Sequence, residues 1–492
     1  MPKSKPIDTI HDLFATTRRP PEIDAGADYS NRFQGNVYEQ LAALEYIYLD
    51  ELTAEKVDDS YAMSMREPIS LADFFEGLTQ LATMGVVEIT DIVEAIHREI
   101  LLRPLGRFNE GNLDKWQGGI TGRIYGTIRS VMALVGNNLA SGLRLYNNVR
   151  NPKEVRRLPR SLRRLVNILN GVMGDHLVNH DNPLAVPMVL YASNGYPQRE
   201  PLSGRIVVLC HGLGLSHLSW QASKIGNLGE QIIESMPNTT VLYLNYNTGR
   251  RISTNGRDLS KTLQDLVDNN PDITQIDLIG HSMGGLVARS SLFYGKEQGF
   301  NWEKQVGNLI TLGSPHQGAS LERIGNFVQE RIAQLPFAGS LAKLGDLRSA
   351  GVIDLRHGSI RDADWKSLEG RSVLPADFRH PARLPLHVRT YLVAAVLVEP
   401  RYDSKTASFL GDGLVAVESA LGEHTEEHTL AVPEGRKAVF YGVNHMNLMY
   451  SRRVTKQVVA WLLDNGQSEG SDEDDVWGTR INSYPNDLSL LV

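Results

Sequence analysis

The chain has little of what would staple or anchor it. One cysteine, Cys210, stands among 492 residues, which excludes an intrachain disulfide and fits a reducing compartment. Cys210 closes the apolar run Ile206-Val207-Val208-Leu209 and reads as a strand-end core residue rather than a reactive thiol. No window approaches the ~20 apolar residues that a membrane-spanning helix needs. Met1-Pro2-Lys3-Ser4-Lys5-Pro6 carries the charge that begins a secretory leader, without the apolar run that should follow it. A cytoplasmic location is therefore the default expectation, export by a signal-less route stays open, and the sequon Asn238-Thr239-Thr240 is read as irrelevant. The formal net charge of −7 is mild for this length and gives no reason to expect a nucleic-acid partner. No internal repeat is visible.

The length exceeds one average domain, so two domains, or one enlarged by insertions, are expected. Residues 1–35 read as a disordered or extended segment and 36–182 as a helical domain. Within the latter, Val37, Leu41, Leu44, Ile47 and Tyr48 recur at helical spacing, as do Ile92, Val93, Ile96 and Ile100 behind the candidate N-cap Thr90. The pattern changes near Asn182-Pro183. Apolar runs at 186–191, 205–210, 240–246, 275–279, 306–312, 388–398 and 437–443 then alternate with helical stretches at 256–267, 283–294 and 453–463. Continuous apolar strands between helices predict an α/β domain over 183–465, with a mostly parallel sheet covered on both faces. Residues 319–386 interrupt it without strand pattern and are expected to form a lid-like insertion. Residues 466–492 hold the acidic run Asp472-Glu473-Asp474-Asp475 and read as a solvated tail.

The most informative stretch is Gly280-His281-Ser282-Met283-Gly284-Gly285. A G-x-S-x-G pattern between a strand and a helix makes a turn so tight that only small residues fit two before and two after the serine. It exposes the serine hydroxyl and points the next N–H, that of Met283, toward an oxyanion. A serine needs an imidazole to take its proton and a carboxylate to orient that imidazole, in the chain order serine, acid, histidine. His445 follows the last apolar run and is the candidate base. His424 and His428 lie in a charged loop, and nothing nearby completes a metal site with them. Asp412, between Gly411 and Gly413, is the candidate acid, with Asp403 its rival; an Asp-Gly pair is also an ordinary turn former. His211-Gly212-Leu213-Gly214 follows an early strand and offers the Leu213 N–H as the second oxyanion donor. His281, beside the nucleophile, is expected to point away from the hydroxyl and serve packing, and His316 to shape the pocket floor.

Together, the segment from Leu278 to Arg289 and Leu312-Gly313-Ser314-Pro315-His316-Gln317-Gly318-Ala319 resemble α/β-hydrolase lipases and esterases, in particular bacterial relatives of the glycosylphosphatidylinositol inositol-deacylase group. The resemblance covers roughly residues 185 to 465. It implies an α/β-hydrolase fold and a carboxylic-ester hydrolase with Ser282, Asp412 and His445 as nucleophile, acid and base, Leu213 and Met283 at the oxyanion hole, and no cofactor or metal. Lipid or acyl esters are the expected substrates. Thioester hydrolysis, amide hydrolysis and acyl transfer would use the same residues, and a non-catalytic scaffold that has kept the fold is the alternative from another class.

One further stretch bears on partners. Arg144, Arg150, Lys153, Arg156, Arg157, Arg160, Arg163 and Arg164 are opposed by Glu154 alone, with Leu158, Leu162, Leu165, Val166 and Leu169 interleaved at helical spacing. The first reading is a solvated helix face packed on a core; the second is peripheral contact with an anionic membrane. Oligomeric state is not legible.

Overall fold

In the computed structural model, residues 69, 73, 74, 76, 77, 80, 81, 158, 160–221, 227–333, 349–366, 379–398 and 411–464 are described. Several sequence expectations fall outside them: the segment 1–35, nearly all of the helical region before residue 158, most of the basic stretch 144–164, the middle of the insertion, Asp403 and the acidic tail. By its internal contacts the chain divides into two units, one of Met1–Pro187 with Gly325–Ser349 and one of Met188–Ile324 with Ala350–Val492.

In the first unit, α1 (Arg160–Asn179) forms where the apolar spacing predicts it. Leu162, Leu165, Val166 and Leu169 are all buried on one stripe, as is Leu158 just ahead of it, while Arg164 is exposed. The helix kinks at Met173. Asn170 inside it accepts from Val186 N–H and donates to Leu184 O, which satisfies a buried amide and fixes the segment behind the helix.

The second unit is built on seven strands: β1 (Val189–Tyr191), β2 (Gly204–Cys210), β3 (Thr239–Asn245), β4 (Ile273–His281), β5 (Val306–Leu312), β6 (Arg389–Val396) and β7 (Lys437–Tyr441). Their order across the sheet is β1-β3-β2-β4-β5-β6-β7, and every pairing is parallel except β1 with β3. The strand runs are mostly apolar because alternate residues enter different cores, with Asp277, Asn308 and Thr311 buried among them. Val207, Leu209, Val241, Tyr243, Ile310, Leu312 and Val393 share one core with α2 (Leu228–Ser235) and α9 (Arg452–Leu463). On the other face lie α3 (Ile252–Asn269) and α4 (Met283–Glu297). Gly256 lets these two helices touch, since a Cβ there would collide with Ser290 Oγ.

From the insertion, α5 (Leu321–Ala333), α6 (Ala350–His357) and α7 (Asp362–Lys366) are described; α8 (Val417–Ala420) follows Asp412. The expected lid-like excursion 319–386 is thus divided, with 325–349 grouped with the first unit and its return limb with the second. Among the described residues no helix is long and apolar enough to cross a membrane.

This is an α/β-hydrolase sheet, and its order positions the site. The chain leaves β2 toward β3 on one side and crosses back to β4 on the other, so the carboxyl ends of β2 and β4 diverge at a topological switch point. Cys210 pairs with Gly280 at that edge, which brings the loop after β2 beside the turn after β4.

Candidate active site

Ser282 occupies the turn between β4 and α4 with φ 55 and ψ −125. A positive φ in a non-glycine residue costs on the order of 1–3 kcal/mol and persists only where its surroundings enforce it. Here they do. A Cβ on Gly280 would run into the backbone of Gly285, and one on Gly284 into the Cys210 carbonyl. Both glycines of the motif are therefore obligatory, and the serine between them takes the strained backbone. Ser282 N–H donates to Leu312 O on the next strand (2.9 Å), tying the turn to the sheet.

Asp412 and His445 meet directly. His445 Nδ1 lies 2.7 Å from Asp412 Oδ2, and both residues are buried. The other carboxylate oxygen, Oδ1, accepts from the Leu414 and Val415 N–H groups at 3.0 and 2.8 Å. Asp412 is thus both the turn former and the partner of the histidine, one role for each oxygen. Gly411 and Gly413, at φ 55 and 98, supply the backbone freedom. His445 N–H also donates to Asp412 O (3.0 Å).

The loop after β2 closes the site. A Cβ on Gly212 would lie 2.9 Å from Ser282 Cβ, so this backbone runs directly over the serine. Leu213 and Met283 are both buried, and neither N–H hydrogen-bonds to another described residue. Side chains help to hold the loop. His211 Nδ1 donates to Gly212 O (2.9 Å), Tyr246 donates to His211 O (2.7 Å), and Gly214 N–H donates to Thr248 Oγ1 (3.0 Å). Burial pushes the His211 imidazole down to about 3, so its ring, stacked on Tyr246, is neutral and structural.

His316 is held between α4 and β5. Its buried ring accepts from Arg289 Nη1 at 3.1 Å, and its Nε2 meets Thr311 Oγ1 at 3.1 Å. Burial, reinforced by the Arg289 charge, holds it well below the usual histidine range. Burial also lowers Arg289 to about 10, which leaves it cationic. Gln317 and Gly318 then bind the segment after Asp412. Gln317 N–H donates to Ser419 Oγ (3.1 Å), Ser419 Oγ donates to Gly318 O (2.8 Å), and Gln317 Nε2 donates to Gly422 O (3.2 Å). Gly313 of the same loop sits against the acid–base pair, where a Cβ would lie 2.9 Å from Asp412 Oδ2.

The return limb of the insertion is fastened nearby. Asp354 on α6 accepts from Arg251 Nη1 (2.6 Å) and from Ile252 N–H at the start of α3 (2.9 Å). Burial pushes its carboxyl up to about 6, against the pull of Arg251. A raised carboxyl binds its proton more tightly folded than unfolded, so its contribution falls as pH rises from the ordinary 3.8 to about 6. Asp354→Asn should remove that slope, worth about 3 kcal/mol at most. Melting curves of both proteins between about pH 4 and 7 check it: the gap between them should change steadily up to about pH 6 and then level off.

Among the described residues no group of three or more His, Cys, Asp or Glu could hold a metal ion. His424 and His428 lie with ring centroids 6.0 Å apart, and His428 Nε2 meets Arg379 O at 3.1 Å.

Several solved structures are similar to this chain. The mature lipase BlEst2 of Bacillus licheniformis aligns at 19% identity over 56% of this chain and 98% of its own, with a TM-score of 0.35. The carboxylesterase CesB of Bacillus subtilis aligns at 14% identity over 56% and 87%, with a TM-score of 0.31. A thermophilic esterase from Thermogutta terrifontis aligns at 16% identity over 56% and 92%, also at 0.31. At such identities and scores these likenesses say nothing about substrate. No curated protein matches the chain. Residues 201–463, more than half of the chain and every residue of the candidate site, match the family described as the PGAP1-like alpha/beta domain, and the chain belongs to that family.

Proposed function

We propose that the protein is a serine hydrolase of carboxylic esters, with lipid or acyl esters as its substrates. The reading is carried by one observation: a strained Ser282 at the switch point of the sheet, next in chain to a residue that hydrogen-bonds the backbone of a buried histidine, itself paired with Asp412. Ser282 Oγ attacks the acyl carbonyl while His445 Nε2 takes its proton, and Asp412 stabilises the imidazolium through Nδ1–H. The oxyanion is held by the Leu213 and Met283 N–H groups. The C–O bond to the alcohol breaks as His445 returns the proton to it, leaving an acyl ester on Ser282. Water, deprotonated by His445, then attacks that acyl group, and the acid departs as Ser282 recovers its proton.

Hydrolysis of p-nitrophenyl esters of increasing acyl length, with and without vesicles containing an anionic phospholipid, tests the substrate class. Activity rising with chain length is the expected result. Vesicle stimulation is the mark that docking through the basic stretch 144–164 would leave. Activity confined to short soluble esters and indifferent to vesicles would contradict the lipid assignment.

A further inference from the structure

His281 lies next to the proposed nucleophile and has no part in the chemistry just described. It is fully buried. Its Nε2 lies 2.9 Å from the main-chain oxygen of His445, and a carbonyl can only accept, so Nε2 must carry the proton. The two rings stand 4.7 Å apart between centroids. On the other side, a Cβ on Gly212 would lie 3.1 Å from His281 Nδ1, so the oxyanion loop packs against this ring, and the Trp220 ring stands nearly perpendicular to it with 6.4 Å between centroids. One side chain therefore touches the loop of the base and the loop of the oxyanion donor, and is covalently next to Ser282.

Three hydrogen bonds bear on where His445 stands. Its N–H donates to Asp412 O and its Nδ1 to Asp412 Oδ2, both on the acid's loop. In the third, its own carbonyl is held by His281. The first two fix the base relative to the acid, and Val443 N–H ties its loop to Val396 O on β6, but none of these bonds runs directly to the turn that carries the serine. The third does, because His281 and Ser282 share a peptide bond at a turn whose backbone is already immobile. We infer that His281 is a positioning residue that sets the register between nucleophile and base, through an Nε2–H donated to the His445 carbonyl. This rests on the esterase reading above.

The ring also explains why a histidine is useful at a fully buried position. Leucine or phenylalanine would fill the volume but leave the His445 carbonyl without this donor and remove the direct tie between its loop and the serine turn. A displacement of an ångström between reacting atoms is enough to cost about 100-fold in rate. Glutamine, by contrast, carries an amide N–H at nearly the reach of Nε2.

The test compares His281→Phe and His281→Gln with the parent and with Ser282→Ala on a soluble p-nitrophenyl ester. His281→Phe should lower kcat about 10- to 100-fold with KM within about twofold, and His281→Gln should recover most of the loss. Labelling by a fluorophosphonate should slow in parallel, since it depends on the same serine–histidine register. A Phe variant with kcat near the parent's, a loss falling mainly on KM, or equal losses in Phe and Gln would overturn the inference. If Ser282→Ala retained activity, the esterase reading itself would fail, which is a separate outcome. A readout independent of turnover is the tautomer of His281 by nitrogen NMR of histidine-labelled protein. The inference requires Nε2–H, and a proton on Nδ1 alone would overturn it even in a protein that hydrolyses nothing.

Discussion

Replacing His445 with alanine is expected to lower ester turnover by about 10⁴-fold or more while leaving the fold intact. The loss is large because a serine hydroxyl is almost wholly protonated near neutral pH and no other described imidazole is placed to serve it. His211 is held neutral by burial with its ring on Tyr246, and His281 points its N–H at a carbonyl. The fold should survive because the loop is held by backbone atoms that alanine keeps: the N–H of residue 445 bonded to Asp412 O, and its carbonyl bonded to His281. Paired measurements of kcat and melting temperature check this. A melting temperature within a few degrees of the parent with turnover lowered by about 10⁴-fold or more is the expected pair. A residual activity above about one tenth of the parent's would remove His445 from the mechanism.

Asp412→Asn is expected to be nearly as damaging, and for a reason specific to this site. The carboxylate uses both oxygens, Oδ1 for the Leu414 and Val415 N–H groups and Oδ2 for His445. Asparagine has one oxygen. If it stays with the two backbone donors, the amide NH₂ faces Nδ1 of His445, which must then accept. That forces the imidazole proton onto Nε2, the atom that has to take the proton of Ser282. The tautomer is wrong, and elsewhere the same error costs about 10⁴-fold in kcat. If the amide turns over, two buried N–H groups lose their acceptor at about 1–3 kcal/mol, and stability falls instead. Measuring kcat alongside melting temperature separates the two arrangements. Full activity with full stability would show that Asp412 does not orient the base.

Much of this architecture is readable from local pattern, and the exceptions share a cause. The seven apolar runs all become strands, because a strand between two layers of helices is mostly apolar; the shortest, β1, covers half of its run and is the antiparallel edge. The serine turn is readable because Gly280 and Gly284 are demanded by clashes within a few residues and with the adjoining strand end. Asp412 is harder. Its flanking glycines favour it over Asp403, but its turn-forming role and its bond to His445 predict the same Gly-Asp-Gly, so pattern alone does not say which role those glycines serve. The contact of His281 with the His445 carbonyl joins positions 164 residues apart, and no periodicity encodes it. Reading His281 as packing captures its burial and misses its hydrogen bond; the available signal is a polar ring at a fully enclosed position, which requires a partner. The same holds for His316 and Gln317, whose partners lie on α4 and around α8. The division of the insertion between two units is not legible either, because an amphipathic helix announces that it has a partner without saying which.

The central claim is that Ser282 is a nucleophile activated by this histidine. Incubating the protein with a fluorophosphonate and mapping the adduct by peptide mass spectrometry tests it most directly. The account predicts one stoichiometric adduct on Ser282, ester hydrolysis lost in proportion to labelling, and no adduct in Ser282→Ala. Hydrolysis that persists in a fully labelled protein, or an adduct that forms elsewhere while Ser282 stays unmodified, would contradict it.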